Sequence, residues 1–347
     1  MFISGIGIVF TRGRGVDSFE KALKEGWREP SWTGLIPAYR VSPETLTDAS
    51  LTKKIRRADK FTRMALFSAF DAYLDSGIIL ENKEKLGIIL ATAFGPHSTT
   101  FSFIDDILDY GDANASPTKF SNSVHNAAAS YVSSVLGSRG PTVTLAQFSF
   151  PFQNALALAG IWLNEGRCDH VLCGCVDEMN TVMEYACKMK LKTAGDGKIR
   201  PFIFSDSPSS VPGEGGAFLM LSKEKYGNHY GKVTGISFSG LNSGKPDITV
   251  IDTDGMAGDE TGYMETANSG ATLAGYSPLF GSMLTGSAFN FAAASLMLKN
   301  QVVYDCPVPD NPSGVKVCGS GFPAGINEIN CVRICRSGKA GVIKIIK

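Results

Sequence analysis

Residues 142–176 read TVTLAQFSFPFQNALALAGIWLNEGRCDHVLCGCV. The first five are rich in β-branched and apolar side chains and read as a strand over 142–146. Gln147-Phe148-Ser149-Phe150-Pro151-Phe152 then makes a sharp passage into a helix over 153–165, and 171–176 reads as a second apolar strand. A buried strand, a helix and a second buried strand form the repeating unit of a parallel sheet covered by helices.

The same alternation extends outward in both directions. Residues 2–10 read as a strand carrying two glycines, 62–77 as a helix with a glycine stop, and 86–92 as a strand. Residues 99–110 carry the helical stripe Thr100, Phe103, Ile104 and Ile107, and the small-residue stretch 123–136 reads as one tightly packed helix. After Pro212-Gly213-Glu214-Gly215-Gly216 and a strand over 217–221, the polar stretch 223–231 reads as a crossover. A second alternation follows, with strands over 232–241 and 248–253 and an Ala-rich helix over 288–300. Closing strands are expected at 315–318, 331–335 and 342–346. Two similar runs of βα alternation predict an α/β arrangement of five layers, an internal pseudo-repeat without residue identity, divided into halves 1–226 and 227–347.

Composition narrows the function classes. Across 347 residues, 44% are hydrophobic and 19% charged, the profile of a globular chain. Lys+Arg 33 balances Asp+Glu 33, so no global basic field attracts nucleic acid or anionic lipid. Eight Cys in this length is ordinary, and Met1–Gly7 lacks the basic start of a secretory signal; reduced thiols in a cytoplasm are expected. No apolar run reaches the ~20 residues that span a bilayer.

Several segments together carry a resemblance: ISGIGIV at 3–9, RRADKFTRMAL at 56–66, SPTKFSNSVHNAAA at 116–129, Gly140-Pro141, PGEGG at 212–216 and FGSMLTGSA at 280–288. SGFPAGIN at 320–327 looks like a glycine-rich loop with one residue inserted. In order and spacing the chain resembles the β-ketoacyl synthase (condensing enzyme) family. That resemblance implies the thiolase-like five-layered αβαβα fold made of two pseudo-repeated halves. It also implies a chemistry: a thiolate at a helix N-terminus to take the acyl group, two imidazoles to assist decarboxylation of the malonyl extender, and a supporting Lys.

The positions that match those groups hold other residues. The nucleophile position falls on Ser149, and a two-residue slip would place Gln147 there instead; Ser149 keeps the helix after it in register. Phe150, Pro151 and Phe152 replace the small residues that usually follow and are expected to crowd the pocket for a phosphopantetheine arm. The first His position holds Asp254, the second Ser282, and the Lys position falls near Ser277. The four histidines, His97, His125, His170 and His229, lie in neither context. His170 and His229 read as surface residues. His125 reads as a packing residue on a helix that, with Asn126, lies at the dimer seam in this family. A serine is a weak nucleophile until a base takes its proton, and Asp254 and Ser282 are poor candidates for that base. No catalytic residue is therefore expected.

Other apparent motifs dissolve. Cys173-Gly174-Cys175 lies on an apolar strand with no second pair at ligand spacing, so core thiols are expected there and at Cys331 and Cys335. No Lys-Ser/Thr follows 212–216, so it is not a phosphate loop. Lys53-Lys54-Ile55-Arg56-Arg57 reads as a solvated helix face. Neither a metal nor a cofactor is implied.

A ketosynthase-like chain with these positions changed resembles the chain-length factor, the inactive half of the ketosynthase heterodimer in type II polyketide systems. The resemblance implies an active ketosynthase as partner, an acyl-carrier protein bearing the chain on phosphopantetheine, and no nucleic acid. It implies that Thr100, Phe103, Ile104 and Ile107 line a tunnel across the seam and set polyketide or polyene length. Two alternatives stand beside it: an autonomous acyltransferase, hydrolase or condensing enzyme using Ser149, and a module that binds an acyl ligand without chemistry.

Overall fold

The computed structural model describes residues 1–227, 229–238, 245–319, 321 and 325–347. Its principal strands are β1 (Phe2–Phe10), β2 (Leu86–Thr92), β3 (Thr142–Ala146), β4 (His170–Asp177) and β5 (Gly215–Ser222) in the first half. Those of the second are β6 (Lys232–Ser237), β7 (Ile248–Ile251), β8 (Leu273–Ala274), β9 (Glu328–Ile334) and β10 (Ala340–Ile346). In space the first five run β1-β5-β4-β2-β3 and the second five β6-β10-β9-β7-β8, the same order twice. Directions repeat as well. β5 is antiparallel to β1 and β4 while β2 is parallel to β4 and β3; β10 is antiparallel to β6 and β9 while β7 is parallel to β9 and β8. The repeat is legible in topology where sequence identity shows nothing. The halves meet edge to edge where Phe2 of β1 pairs with Lys232 of β6.

The helices are α1 (Val16–Glu25), α2 (Lys60–Ser76), α3 (His97–Tyr110), α4 (Pro117–Ser123), α5 (Ala127–Leu136), α6 (Pro151–Asn164), α7 (Thr181–Lys190), α8 (Tyr263–Asn268) and α9 (Ser287–Asn300). α6 and α9 follow the third strand of their respective halves and form the middle layer, where Phe152 and Phe291 meet at 5.3 Å between ring centroids. Every residue of α9 from Ser287 to Leu298 is buried, as befits a helix enclosed on all sides. α2 lies across β1, and this close approach explains the glycines of that strand. A Cβ on Gly5 would come within 2.2 Å of the Ala72 carbonyl, and one on Gly7 within 2.0 Å of the Ser68 carbonyl.

Some expected elements differ. The helix expected over 123–136 begins only at Ala127, as α5: Ser123 closes α4, Val124 is extended (ψ 140°) and the chain turns helical again at Asn126. His125 therefore sits on the link between them. The strand expected over 232–241 ends at Ser237, with 239–241 outside the described residues. Residues 315–318 contribute only a single bridge, Val317 to Leu273. The basic run 53–57 lies on turns around the buried Ile55 rather than on a helix. In the expected glycine-rich loop at 320–327, residues 320 and 322–324 lie outside the described residues.

Candidate functional site

Ser149 stands in the turn that carries β3 into α6. Phe150 takes a left-handed conformation (φ 55°) just before Pro151 opens the helix, which bends the chain sharply at this point. Ser149 and Phe148 are exposed on the wall of an open cleft of about 630 Å³, shared with Gln147, Phe150, Asn154, Phe238, Cys335, Ser337 and Lys339. The expected plug is thus only partly realised. Phe150 lines the cleft and packs on Phe238 at 5.7 Å, while Phe152 turns inward to the core. Gln147 is held by Asn154, whose side-chain amide donates to Gln147 Oε1 at 2.6 Å.

The segment facing Ser149 is the tight turn between the last two strands, which carries no motif in the sequence. Cys335 Sγ lies 3.1 Å from Ser337 Oγ. Burial raises the Cys335 thiol, but hydrogen bonds from Ser337, from the Ser337 and Lys339 backbone and from Ser149 bring it below its ordinary value. Burial instead pushes up the thiols of Cys173, Cys175 and Cys331, as core cysteines require.

Asp254 and Ser282 come together elsewhere, in a buried polar network. Ser282 Oγ donates to the Asp254 carbonyl and accepts the Val211 N–H at 3.0 Å. Asp254 Oδ1 accepts the Met256 N–H at 2.9 Å and Oδ2 the Met283 N–H at 3.1 Å. Arg333, on β9, lies 3.7 Å from Asp254 and 3.8 Å from Asp252. Asp252 in turn receives Ser287 and Asn290 of α9, the latter at 2.6 Å, and Gln153 of α6 donates to Ser287 at 3.1 Å. Among the described residues, no hydrogen bond or ion pair joins Ser149 to Asp254 or Ser282.

Burial governs the charge states here. It pushes Asp254 upward and Asp252 up to about 6, against the opposing pull of Arg333. Glu260, which accepts the Asp254 and Gly255 N–H groups at 2.8 Å each, is pushed up to about 8 by burial and by the Asp254 charge. Burial alone would lower Arg333, but Asp254 and Asp252 hold it protonated. These carboxylates serve backbone N–H groups, the Ser287 and Asn290 side chains and one guanidinium, which leaves them little freedom to act as proton carriers. Sequence reasoning missed Glu260 and Arg333. The available signal was a charged residue inside an apolar strand, the pattern at 328–334.

The stripe on α3 is not core. His97 is the only buried residue of that helix; Thr100, Phe103 and Ile107 are half-buried and Ile104 is exposed. Phe103 packs on Phe120 of α4 at 5.5 Å, and Thr100 Oγ1 donates to the Ser123 carbonyl at 3.1 Å. Around the stripe, Phe101, Leu108, Phe120, Val124 and Phe148 are exposed large apolar residues. His125 and Asn126 are exposed as well, with the His125 ring lying over Gly95. His170 is partly buried against Ser222 Oγ at 2.9 Å, rather than solvated as expected.

Residues 1–226 match the family model described as Beta-ketoacyl synthase, N-terminal domain. A protein described as polyketide beta-ketoacyl synthase 1 from Streptomyces halstedii is 24% identical over 77% of this chain and 72% of its own length. A protein of the same description from Streptomyces cyaneus is 26% identical over 64% of this chain and 57% of its own length. Among solved structures, the ishigamide ketosynthase/chain length factor superposes with a TM-score of 0.79 at 15% identity, covering 100% of this chain and 98% of its own. A beta-ketoacyl synthase from Burkholderia phymatum gives 0.78 at 15% identity, again over 100% and 98%. A type II polyketide synthase ketosynthase, solved in complex with its acyl-carrier protein, gives 0.79 at 15% identity over 99% and 98%. The fold is thiolase-like, and no described helix is long and apolar enough to cross a membrane. On the match over residues 1–226, the chain belongs to the β-ketoacyl synthase family.

Proposed function

We propose that this chain is a non-catalytic ketosynthase-like subunit, a chain-length factor, that pairs with an active ketosynthase and shapes its acyl tunnel. The observation that carries the reading is the fate of the positions matching the family's Cys-His-His. They hold Ser149, Asp254 and Ser282, and the latter two are committed to the Met256, Met283 and Val211 backbone N–H groups. No imidazole stands ready to assist decarboxylation at those positions. Supporting the partner role, α3, α4 and the end of β3 expose a set of large apolar side chains, including Leu108 at 76% and Phe120 at 59%. The partner presents the Cys and two His; α3 contributes Thr100, Phe103, Ile104 and Ile107 to the wall against which the growing polyketide or polyene chain stops. His125 and Asn126 lie at the seam. The acyl-carrier protein delivers its phosphopantetheine-bound chain to the complex. The division into halves 1–226 and 227–347 belongs to the same reading.

Co-expression with an intact ketosynthase tests this. A one-to-one complex is expected, with longer products when Phe103→Ala removes a ring from the wall. A stable homodimer that ignores the ketosynthase overturns the reading. The second reading, an acyltransferase using Ser149, is favoured by one observation: Ser149 is exposed on an open cleft beside Cys335. A covalent acyl adduct on Ser149, found by mass spectrometry after incubation with acyl-carrier thioesters, is its distinctive expectation.

A further inference from the structure

α3 has fourteen residues, of which only His97 is fully buried, and its apolar contact is half-exposed, Phe103 on Phe120. A helix of this length is marginal without tertiary contacts, so the few polar ties at its start decide its position. Pro96 precedes it and supplies no side-chain cap. The cap comes from elsewhere: Glu178, directly after β4, accepts the Ser98 N–H through Oε1 at 2.8 Å. The same Oε1 lies 3.8 Å from His97 Nδ1, which is 3.1 Å from the Gly95 carbonyl. Thr99 adds a hydroxyl bond of 2.6 Å to Asp59 Oδ2 at the start of α2.

We infer that the Glu178 carboxyl group, set between the Ser98 N–H and the His97 ring, is a proton-operated latch on α3, and through α3 a positioning residue for the chain-length wall. The link from α3 to the wall rests on the function proposed above; the latch itself does not. The titratable groups acting on Glu178 are Asp59 at the start of α2 and Glu214 just before β5, with the His97 ring of α3 at 3.8 Å. Lys60 is ion-paired to Glu214, which also accepts the Val41 and Met179 N–H groups at 2.7 and 2.8 Å. Lys60 is thereby engaged elsewhere.

The Ser98 N–H and the N-terminal dipole of α3 favour a carboxylate. Burial works against it and wins, with Asp59 and Glu214 adding repulsion, so Glu178 is raised to about 7. Burial lowers His97, which disfavours rescue by an imidazolium. An acid raised in the folded state contributes stability at low pH that is lost as pH rises through its folded value. The neutral carboxyl holds the first turn fully below ~4, and the tie weakens as pH rises from there to about 7, where the buried carboxylate forms without compensation.

Hydrogen–deuterium exchange on the full chain, alone and in the co-expressed complex, corrected for intrinsic rate, reads this over residues 97–103. Protection is expected to fall as pH rises from about 4 to about 7 and to level off above that, by at most about tenfold per pH unit for one proton. Glu178→Gln keeps an acceptor for Ser98 and should flatten the dependence, and the product-length distribution should drift with pH in the native complex only. Wild-type protection that is flat with pH, or an unchanged slope in Glu178→Gln, overturns the latch. If the variant does not assemble, the wild-type slope decides alone. If Phe103→Ala leaves product length unchanged while the slope persists, the wall fails and the latch stands; a longer product with no Glu178-dependent slope upholds the wall and overturns the latch.

Discussion

The Ser282 hydroxyl donates to the Asp254 carbonyl while accepting the Val211 N–H, so the two positions we propose to match the family's imidazoles are locked to each other and to a third backbone segment. Ser282→Ala leaves a buried N–H without its partner. The expected cost is about 1–3 kcal/mol of stability, read as a lower thermal midpoint, with product length from the complex unaltered. A neutral substitution would mean that the hydroxyl is not structural.

Ser149 is exposed, and the proposed role does not use it. Ser149→Ala should change stability by no more than about 0.5 kcal/mol and leave turnover by the complex within about twofold, which corresponds to ~0.4 kcal/mol of barrier. A loss of a hundredfold would instead promote the serine-nucleophile reading.

Buried acids give the chain a definite pH profile. Glu260 at about 8 and Asp252 at about 6 are both raised above ordinary carboxylate values near ~4. The folded chain therefore binds these protons more tightly than the unfolded chain. Stability from this source is full below ~4 and is lost as pH rises through about 6 and then about 8. Urea midpoints measured at about pH 5, 7 and 9 should decline, and Glu260→Gln should remove the upper part of that decline. A midpoint that climbs over this range contradicts the assignment.

The exposed apolar face supplies a prediction about assembly. Leu108→Asp together with Phe120→Asp should weaken association with the ketosynthase by about 2 kcal/mol or more, roughly thirtyfold, and improve the solubility of the chain alone. Gel filtration of co-expressed subunits checks it. A complex that survives both charges places the interface elsewhere.

Much of the fold is legible in the sequence. The glycines of 2–10, the strand–turn–helix at 142–165 and the stripe on 99–110 mark their elements because each pattern has a local cause: close approach, chain reversal, one-sided exposure. The topological repeat is visible only as rhythm. What the sequence hides depends on long-range meetings. Arg333 reads as one charge in an apolar strand, and only the fold brings it to Asp252 and Asp254. The turn at Cys335–Lys339 reaches Ser149 because β9 ends and β10 begins there, nearly two hundred residues downstream of the turn that carries Ser149. α5 opens at Ala127 rather than at Ser123, since neighbouring serines and small residues do not mark where a helix begins.

The most direct measurement is condensation itself. Purified chain alone, given malonyl and acyl thioesters on the carrier protein, should release no carbon dioxide and form no β-ketoacyl product, whereas the complex with a ketosynthase bearing its Cys and two His should do both. Turnover by the isolated polypeptide at a rate comparable to the complex would contradict the account.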